Sequence, residues 1–490
     1  MSRTLKMKQG DSGTELNLLA GSGSGWNVKS WFPQVANVLP DGTIKPVQEE
    51  MICSVEGSSH DDLATDLQAM HEMRRYAANY MGDITWDVPV WLHFKLDDES
   101  SAVRALVLNS RAYPFEMAYE SEPSSQTGAV EQDKARIRLR FWRQGAWERT
   151  SKRDMPQNDA TSGAAITFDY TQAGTGGSPS AHDIVGDVEA RIENLRIQPW
   201  SSGAEIDRLW IGTRSAAKHH TIGNFEPIWE CEDGANEAIA SDDTTTETNT
   251  ASPGSGSGAY VEGTPSADDT WEKYFEIEVQ DVDANTEDQF GRYLMLLRAK
   301  LDQTDTFQIQ LRFGYTGFAD DEMVRGPKVE ITNETAWDFY PMGHFTIPMV
   351  DLQAFEPWLA AGLGSHTQSI QVWAKREAGG DQGKIFFDCM IAVPIDEGYL
   401  FAEGIGASQY DVIRFVTTPL DRLGVEVYDS DHITKIPATE TYRWGLPPGD
   451  GLMVLVYAGV DESVLTDTVL INSNDAGRYY ERWLTLRGGE

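Results

Sequence analysis

Apolar residues in this chain recur mainly at every second position, and in one place at every third and fourth. The exception is "SSHDDLATDLQAMHEMRRYAANYM", residues 58 to 81. There Leu63, Leu67, Met70, Arg74, Ala77 and Met81 form one stripe, widened by Met73, Tyr76 and Tyr80. That spacing predicts an amphipathic helix lying across a sheet, with Ser59 capping its start and Asp62 three residues on.

Everything else reads as strand or loop. In "DVPVWLHFKL" the residues Val88, Val90, Leu92, Phe94 and Leu96 alternate with Pro89, Trp91, His93 and Lys95, the period-2 pattern of a strand with one buried face. In "ARIRLRFWR" the face Ala135, Ile137, Leu139, Phe141 alternates with Arg136, Arg138 and Arg140. Residues 151 to 183 are loop-rich and suggest a boundary, after which "GDVEARIENLRIQ" and "EIDRLWIGTRS" supply two further strands. From "FEPIWECEDG" to "KIFFDCMIAVP" come short strands with turn residues between them and no helical pattern, the signature of a jelly-roll type β-sandwich. A last β-rich piece ends "RYYERWLTLRGGE".

The expected fold is therefore mainly β, built of several sandwiches. The predicted units are an N-terminal β domain with one helix (1–155), a small β extension (156–218), the jelly roll (219–395) and a C-terminal β domain (396–490). A length of 490 residues fits two to four domains.

Composition narrows the function. Hydrophobic residues at 40% and 15 Trp describe a globular chain. The 77 acidic against 40 basic residues leave a net charge of −37, which argues against nucleic acid, since phosphate binding needs a basic face. The acidity fits solubility in a crowded assembly or life in high salt. Cys53, Cys231 and Cys389 are too few for a disulfide scaffold and lack zinc spacing. The start "MSRTLKMKQGDSG" has no apolar h-region and no stretch reaches the length of a membrane span, so neither export nor membrane insertion is expected.

Catalytic motifs are missing: no GxSxG elbow, no HExxH, no Walker loop. The "GSGSG" runs at 21–25 and 254–258 read as linkers. A glycosidase carboxylate pair would leave no signature, and with this many acids proximity arises by chance. The expectation is no enzyme. His219 and His220, adjacent and so on opposite faces if extended, read as solvated linker before metal site.

Three constellations remain. Arg136, Arg138, Arg140 and Arg143 form a cationic stripe, either an ordinary solvated face or a subunit contact against an acidic neighbour. Glu230 and Glu232, two apart on a presumed first strand, would converge with Asp388 on the last strand if those strands pair, making an oxygen cage suited to Ca²⁺. The same parity places Cys231 and Cys389 on the opposite face, as buried thiols or a disulfide. Finally Trp271, Tyr315, Trp337 and Tyr340 offer aromatic faces for stacking on sugar rings, against the alternative that they fill the core.

Here the chain resembles known families. "WECEDG", "SGSGAYVEG" and the terminal "FFDCMIAVP" resemble calcium-dependent carbohydrate-binding modules of β-sandwich fold, which implies a structural Ca²⁺ on Glu230, Glu232 and Asp388; Cys231 departs from the small residue usual there. The flanks, in "VEGSSHDDLATDLQAMHEMRRYA", "RLRFWRQGAWER", "GDVEARIENLRI…RLWIGTRS" and "YYERWLTLRGG", resemble distal and minor tail proteins of long-tailed phages and tailed archaeal viruses. That resemblance implies a homo-oligomeric ring, hexameric by family, below the tail tube and against other tail-tip proteins. It also implies a lectin-like domain turned toward host surface glycan, in a virion assembled in the host cytoplasm. The competing expectation is a free-standing polysaccharide-binding protein or an accessory module of a carbohydrate-active enzyme. The lack of an export signal favours the first.

Overall fold

The computed structural model describes residues 3–19, 25–39, 43–82, 88–95, 102–119, 134–156, 158–162, 165–170, 183–200, 204–215, 225, 227–231, 245–248, 259–265, 267–280, 290–315, 323–332, 335–347, 368–377, 383–420, 422–429, 431–442, 444–459, 468–472 and 477–484. Among them the chain is mainly β, with one α-helix, His60–Gly82. The pair His219–His220 lies outside the described residues.

That helix starts where the sequence placed its cap: Ser59 Oγ accepts from the Asp62 amide at 3.2 Å. Leu63, Met70, Met73 and Ala77 are buried, while Arg74 on the same stripe is exposed. The apolar face packs on the strands Thr4–Gln9, Val47–Glu56, Val90–Lys95 and Val103–Leu108. It is pinned at its first turns, because the Gly25 amide donates to Asp66 at 2.9 Å and Trp26 Nε1 to the Asp66 carbonyl at 3.0 Å. Helix and sheets thus share one core that includes Trp26, Met51, Leu92, Ile137, Leu139 and Phe141.

Strand Val90–Lys95 departs from the one-sided pattern. Trp91 and His93 are buried as well as Val90 and Leu92, whereas Val88 is 39% exposed and Leu96 lies outside the described residues. The cause is tertiary: Trp91 packs with Leu106 and Leu108 and carries the Arg104 guanidinium 4.1 Å above its ring.

The pieces expected at 156–218 and 396–490 are not separate. A five-stranded sheet runs Ala165–Asp169, Gly451–Ala458, Arg208–Ser215, Gly398–Ala402, Glu440–Tyr442, drawing on both segments. Strand Val188–Pro199 pairs with Val412–Thr417, Thr468–Ile471 and Arg478–Trp483. The two segments fold as one unit around Ile192, Leu195, Ile211, Phe415 and Leu455. The loop-rich stretch after residue 151 also holds strands Asn158–Ser162 and Ala165–Asp169. The last strand, Arg478–Trp483, further pairs with Trp147–Arg149 and so joins this unit to the N-terminal sheets.

Between Ser215 and Gly398 the chain makes a two-sheet antiparallel sandwich. One sheet has six strands: Thr245–Thr248, Ala259–Gly263, Ile385–Pro394, Gly291–Leu301 and Asp338–Ile347 in order, with Ile228–Glu230 paired to Ile385–Pro394. The other has four, in the order Glu272–Gln280, Gln368–Arg376, Thr306–Tyr315, Val324–Thr332. Phe275, Ile309, Leu311 and Val372 of one sheet meet Leu297, Ala299 and Phe387 of the other. The five-stranded sheet covers part of this core, since Trp210, Val454 and Val456 belong to the same cluster. Buried on both faces, its strand "GLMVLVYA" is a continuous apolar run.

Candidate functional site

The outer face of the four-stranded sheet departs from an ordinary solvated surface. In "TFQIQLRFGY" the residues Phe307, Ile309 and Leu311 point to the core, which turns Gln308, Gln310 and Arg312 outward. In "QSIQVWAKR" Ile370, Val372 and Ala374 point inward and Gln371, Trp373 and Lys375 outward. Register sets Gln310 and Lys273 beside Trp373, and Arg312 and Glu276 beside Gln371.

These polar side chains form a buried floor. Glu276, Gln310, Arg312, Ser369 and Gln371 are all buried. Glu276 accepts from Ser369 Oγ, from Lys273 Nζ at 3.0 Å and from Gln371 Nε2 at 3.3 Å. Gln371 Oε1 accepts from Trp373 Nε1 at 3.0 Å; Gln310 accepts from Arg312 Nε at 3.3 Å and donates to the Gly326 carbonyl at 2.9 Å. Around the floor stand half-buried Trp271 and Trp373. Arg312 lies 3.8 Å from the Trp373 ring centroid and 5.8 Å from that of Trp271, whose other neighbour is Lys328 at 5.3 Å. The result is a cation–indole ladder across the sheet. Burial, with Arg325 nearby, pushes the Arg312 guanidinium down to about 10. Such a surface offers fixed amide, carboxylate and guanidinium hydrogen bonds beside indole rings, the chemistry that holds a polyhydroxylated ring.

Of the aromatic residues singled out by sequence, Trp271 stands on this face. Trp337 is 7% exposed and belongs to the other sheet's outer side, under Arg298 and Lys300, each 4.8 Å from its ring, and against Tyr260. Tyr340 is half-buried against the core. The Tyr315 side chain lies outside the described residues. Trp373 was missed, although the alternation of "IQVWAK" already set it in phase with Gln371.

Among the described residues, Glu230 and Asp388 are not arranged as the calcium cage requires. First and last strands do pair, Glu230 opposite Cys389. That register puts Glu230 beside Cys389, and the Cys231 amide donates to the Asp388 carbonyl at 2.9 Å. The expected parity fails at the register: residues directly opposite across an antiparallel pair share a face, so Glu230 shares the face of Cys389 and not that of Asp388. Against Gly291–Leu301 the strand Ile385–Pro394 also bulges: Leu297 and Ala299 pair with Met390 and Phe387, so Asp388 and Cys389 together oppose Arg298. Arg298 stands at the bulge, its Nη1 2.6 Å from Asp388 Oδ2, both side chains 1% exposed. A guanidinium already holds that carboxylate, and a donor set containing a buried cation does not suit Ca²⁺. Glu232 lies outside the described residues. Cys231 and Cys389 are buried free thiols; burial first, then the Asp388 and Glu230 carboxylates, pushes Cys389 well up.

The arginine stripe divides by parity. Arg136 and Arg140 are exposed and Arg138 half-buried, with Glu50 of the same chain 2.7 Å from Arg140 and 3.7 Å from Arg138. Arg143, three residues further, points inward and is fully buried, where it binds Glu49 at 2.8 Å and stacks on Trp147 at 4.4 Å. A subunit contact through Arg143 is thereby corrected: its partner is Glu49, which also takes Trp31 Nε1 at 2.9 Å.

No family model matches the chain, and no curated protein does. Among solved structures, the family 30 carbohydrate-binding module of a cellulosomal cellulase of Clostridium thermocellum is similar over 40% of this chain and 96% of its own. The identity is 14% and the TM-score 0.17. A likeness that slight assigns no ligand.

Proposed function

We propose that this chain is a non-catalytic display protein whose inserted sandwich binds a polysaccharide on the outer face of its four-stranded sheet. The observation that supports this reading is the buried polar floor of Glu276, Gln310, Arg312 and Gln371, hydrogen-bonded in advance and bordered by Trp271 and Trp373. Preformed hydrogen bonds reduce the ordering cost of binding, and half-buried indoles supply stacking area. Isothermal titration of the full chain against a panel of neutral and acidic polysaccharides tests it. Binding to at least one polymer, weakened tenfold or more by Trp373→Ala or Gln371→Ala, is expected; silence across the panel, or binding untouched by both variants, overturns it.

A second reading places the chain as a ring at the tip of a viral tail, with the sandwich turned outward toward host glycan. What favours it is the N-terminal unit. A lone helix braces its sheets, the exposed Arg136 and Arg140 lie on its surface, and Phe32 (78% exposed) and Val35 (61%) project from a segment anchored by buried Glu49 and Arg143. Sizing chromatography with light scattering decides: a closed oligomer that Arg136→Ser/Arg140→Ser loosens supports the ring, and a monomer at high concentration removes it.

A further inference from the structure

The unit formed by 156–218 and 396–490 carries an aromatic pair that its fold does not use. Trp200 is 44% exposed and Tyr410 57%, their rings 5.0 Å apart at 75°. Hydrogen bonds hold their backbone in place. The Tyr410 amide donates to the Pro199 carbonyl at 2.9 Å, Gln198 Nε2 to the Tyr410 carbonyl at 2.7 Å, and Gln409 Nε2 to the Trp200 carbonyl at 3.0 Å. The turn closes on Asp411, whose carboxylate takes the Ser408 amide at 2.8 Å and whose own amide donates to the Ser408 carbonyl at 3.0 Å.

Tyr410 also has φ +74°, a conformation that bulky L-residues seldom adopt. A glycine would sit there without strain, so the fold gives no reason for a tyrosine. Strained backbone presenting an exposed side chain is a recurrent mark of a binding position. Two rings near a right angle make an apolar corner, and the Gln198 and Gln409 side-chain amides donate to the backbone carbonyls that carry it.

We propose that Trp200 and Tyr410 form a second glycan contact, separate from the sandwich, that takes a neutral sugar ring in the corner between the two aromatic faces. The charge of the surroundings selects the ligand. Asp411 closes the turn, and Glu205 pairs directly across from Ser408. On a chain of net charge −37 these carboxylates disfavour a polyanion and disfavour a second copy of the same chain, while a neutral polyol meets no repulsion.

The test is native-gel retardation of the full chain by hydroxyethylcellulose, galactomannan and a soluble (1→3)-β-glucan, with thermal midpoints measured alongside. Trp373→Ala removes the sandwich contact and is expected to leave residual retardation by at least one polymer. Adding Tyr410→Gly or Trp200→Ser should weaken that residue tenfold or more, with the Tyr410→Gly midpoint equal to or above the parent's. Three results overturn the proposal. The Trp373→Ala chain shows no retardation by any of the three; Tyr410→Gly and Trp200→Ser leave retardation unchanged; or Tyr410→Gly lowers the midpoint or dissociates an oligomer, which assigns the pair to stability or self-contact.

Discussion

Glu148 stands in the strand pairing that joins the N-terminal unit to the rest, and replacing it by glutamine should loosen that joint. Its carboxylate is 2% exposed and accepts from Arg104 Nε at 2.9 Å and from Arg191 Nε and Nη2, each at 2.9 Å. Arg104 belongs to the N-terminal sheets and Arg191 to the strand Val188–Pro199, and Tyr480 on the last strand lies between them, 4.7 Å from one guanidinium and 4.5 Å from the other. Removing one member of a buried ion pair costs about 3–5 kcal/mol, because the partner's charge stays buried and uncompensated. Here Arg104 keeps Asp11 at 2.6 Å and Arg191 keeps the Thr417 carbonyl at 2.9 Å, which sets the expectation near the low end, about 3 kcal/mol. Against a typical domain stability of about 5–15 kcal/mol that is a large fraction. Urea unfolding, with hydrogen exchange read at 188–199 and 478–483, should show the loss concentrated at the joint. The effect also has a pH sign. Burial alone would raise the Glu148 carboxyl, but the Arg191 and Arg104 guanidiniums outweigh it and hold the group below the usual carboxylate range. The stabilisation is therefore present above the unfolded value and is lost as pH falls through the folded one. Glu148→Gln within about 1 kcal/mol of the parent at neutral pH would refute the reasoning, since a surface pair costs no more than that.

Three further outcomes follow from buried positions. Burial, with Arg104 nearby, pushes His93 down from its ordinary 6.5 to about 4, so the unfolded chain binds a proton that the folded one refuses. Stability should then fall as pH drops between those values, by up to roughly 3 kcal/mol, and His93→Gln should flatten that slope in acid-titrated thermal melts. Asp388→Asn should cost about 3–5 kcal/mol of stability by stranding Arg298, read as a lower melting midpoint, whereas a chelator should leave the parent's midpoint in place. Gly212→Ala should cost roughly 1–3 kcal/mol in chemical denaturation, because its Cβ would run into the Pro394 carbonyl where the five-stranded sheet meets the sandwich.

Local pattern carried the elements well. The three- and four-residue spacing of Leu63, Met70 and Ala77 placed the helix, since helical periodicity depends only on neighbours along the chain. Alternation in 135–141 located a strand whose Ile137, Leu139 and Phe141 are fully buried. The same alternation contained two answers that were not drawn from it: Arg143 falls out of phase with Arg136, Arg138 and Arg140, and Trp373 falls in phase with Gln371. The border of the polar floor was half legible for that reason, Trp271 found and Trp373 passed over. The Glu230–Asp388 arrangement was illegible, because a one-residue difference in register exchanges the faces of a strand, and register leaves no mark in composition.

The sequence by itself determined that this is a mainly β protein and where its helix His60–Gly82 lies, because short-range patterns of burial record which face of each segment leaves water. Only the tertiary structure decided that the segments on either side of the sandwich form one unit, that Arg298 occupies Asp388, and that a row of polar residues becomes a buried floor. Those outcomes depend on pairing between strands from 90 to more than 200 residues apart. What a side chain meets across such a distance is set by register and topology, which no local window contains.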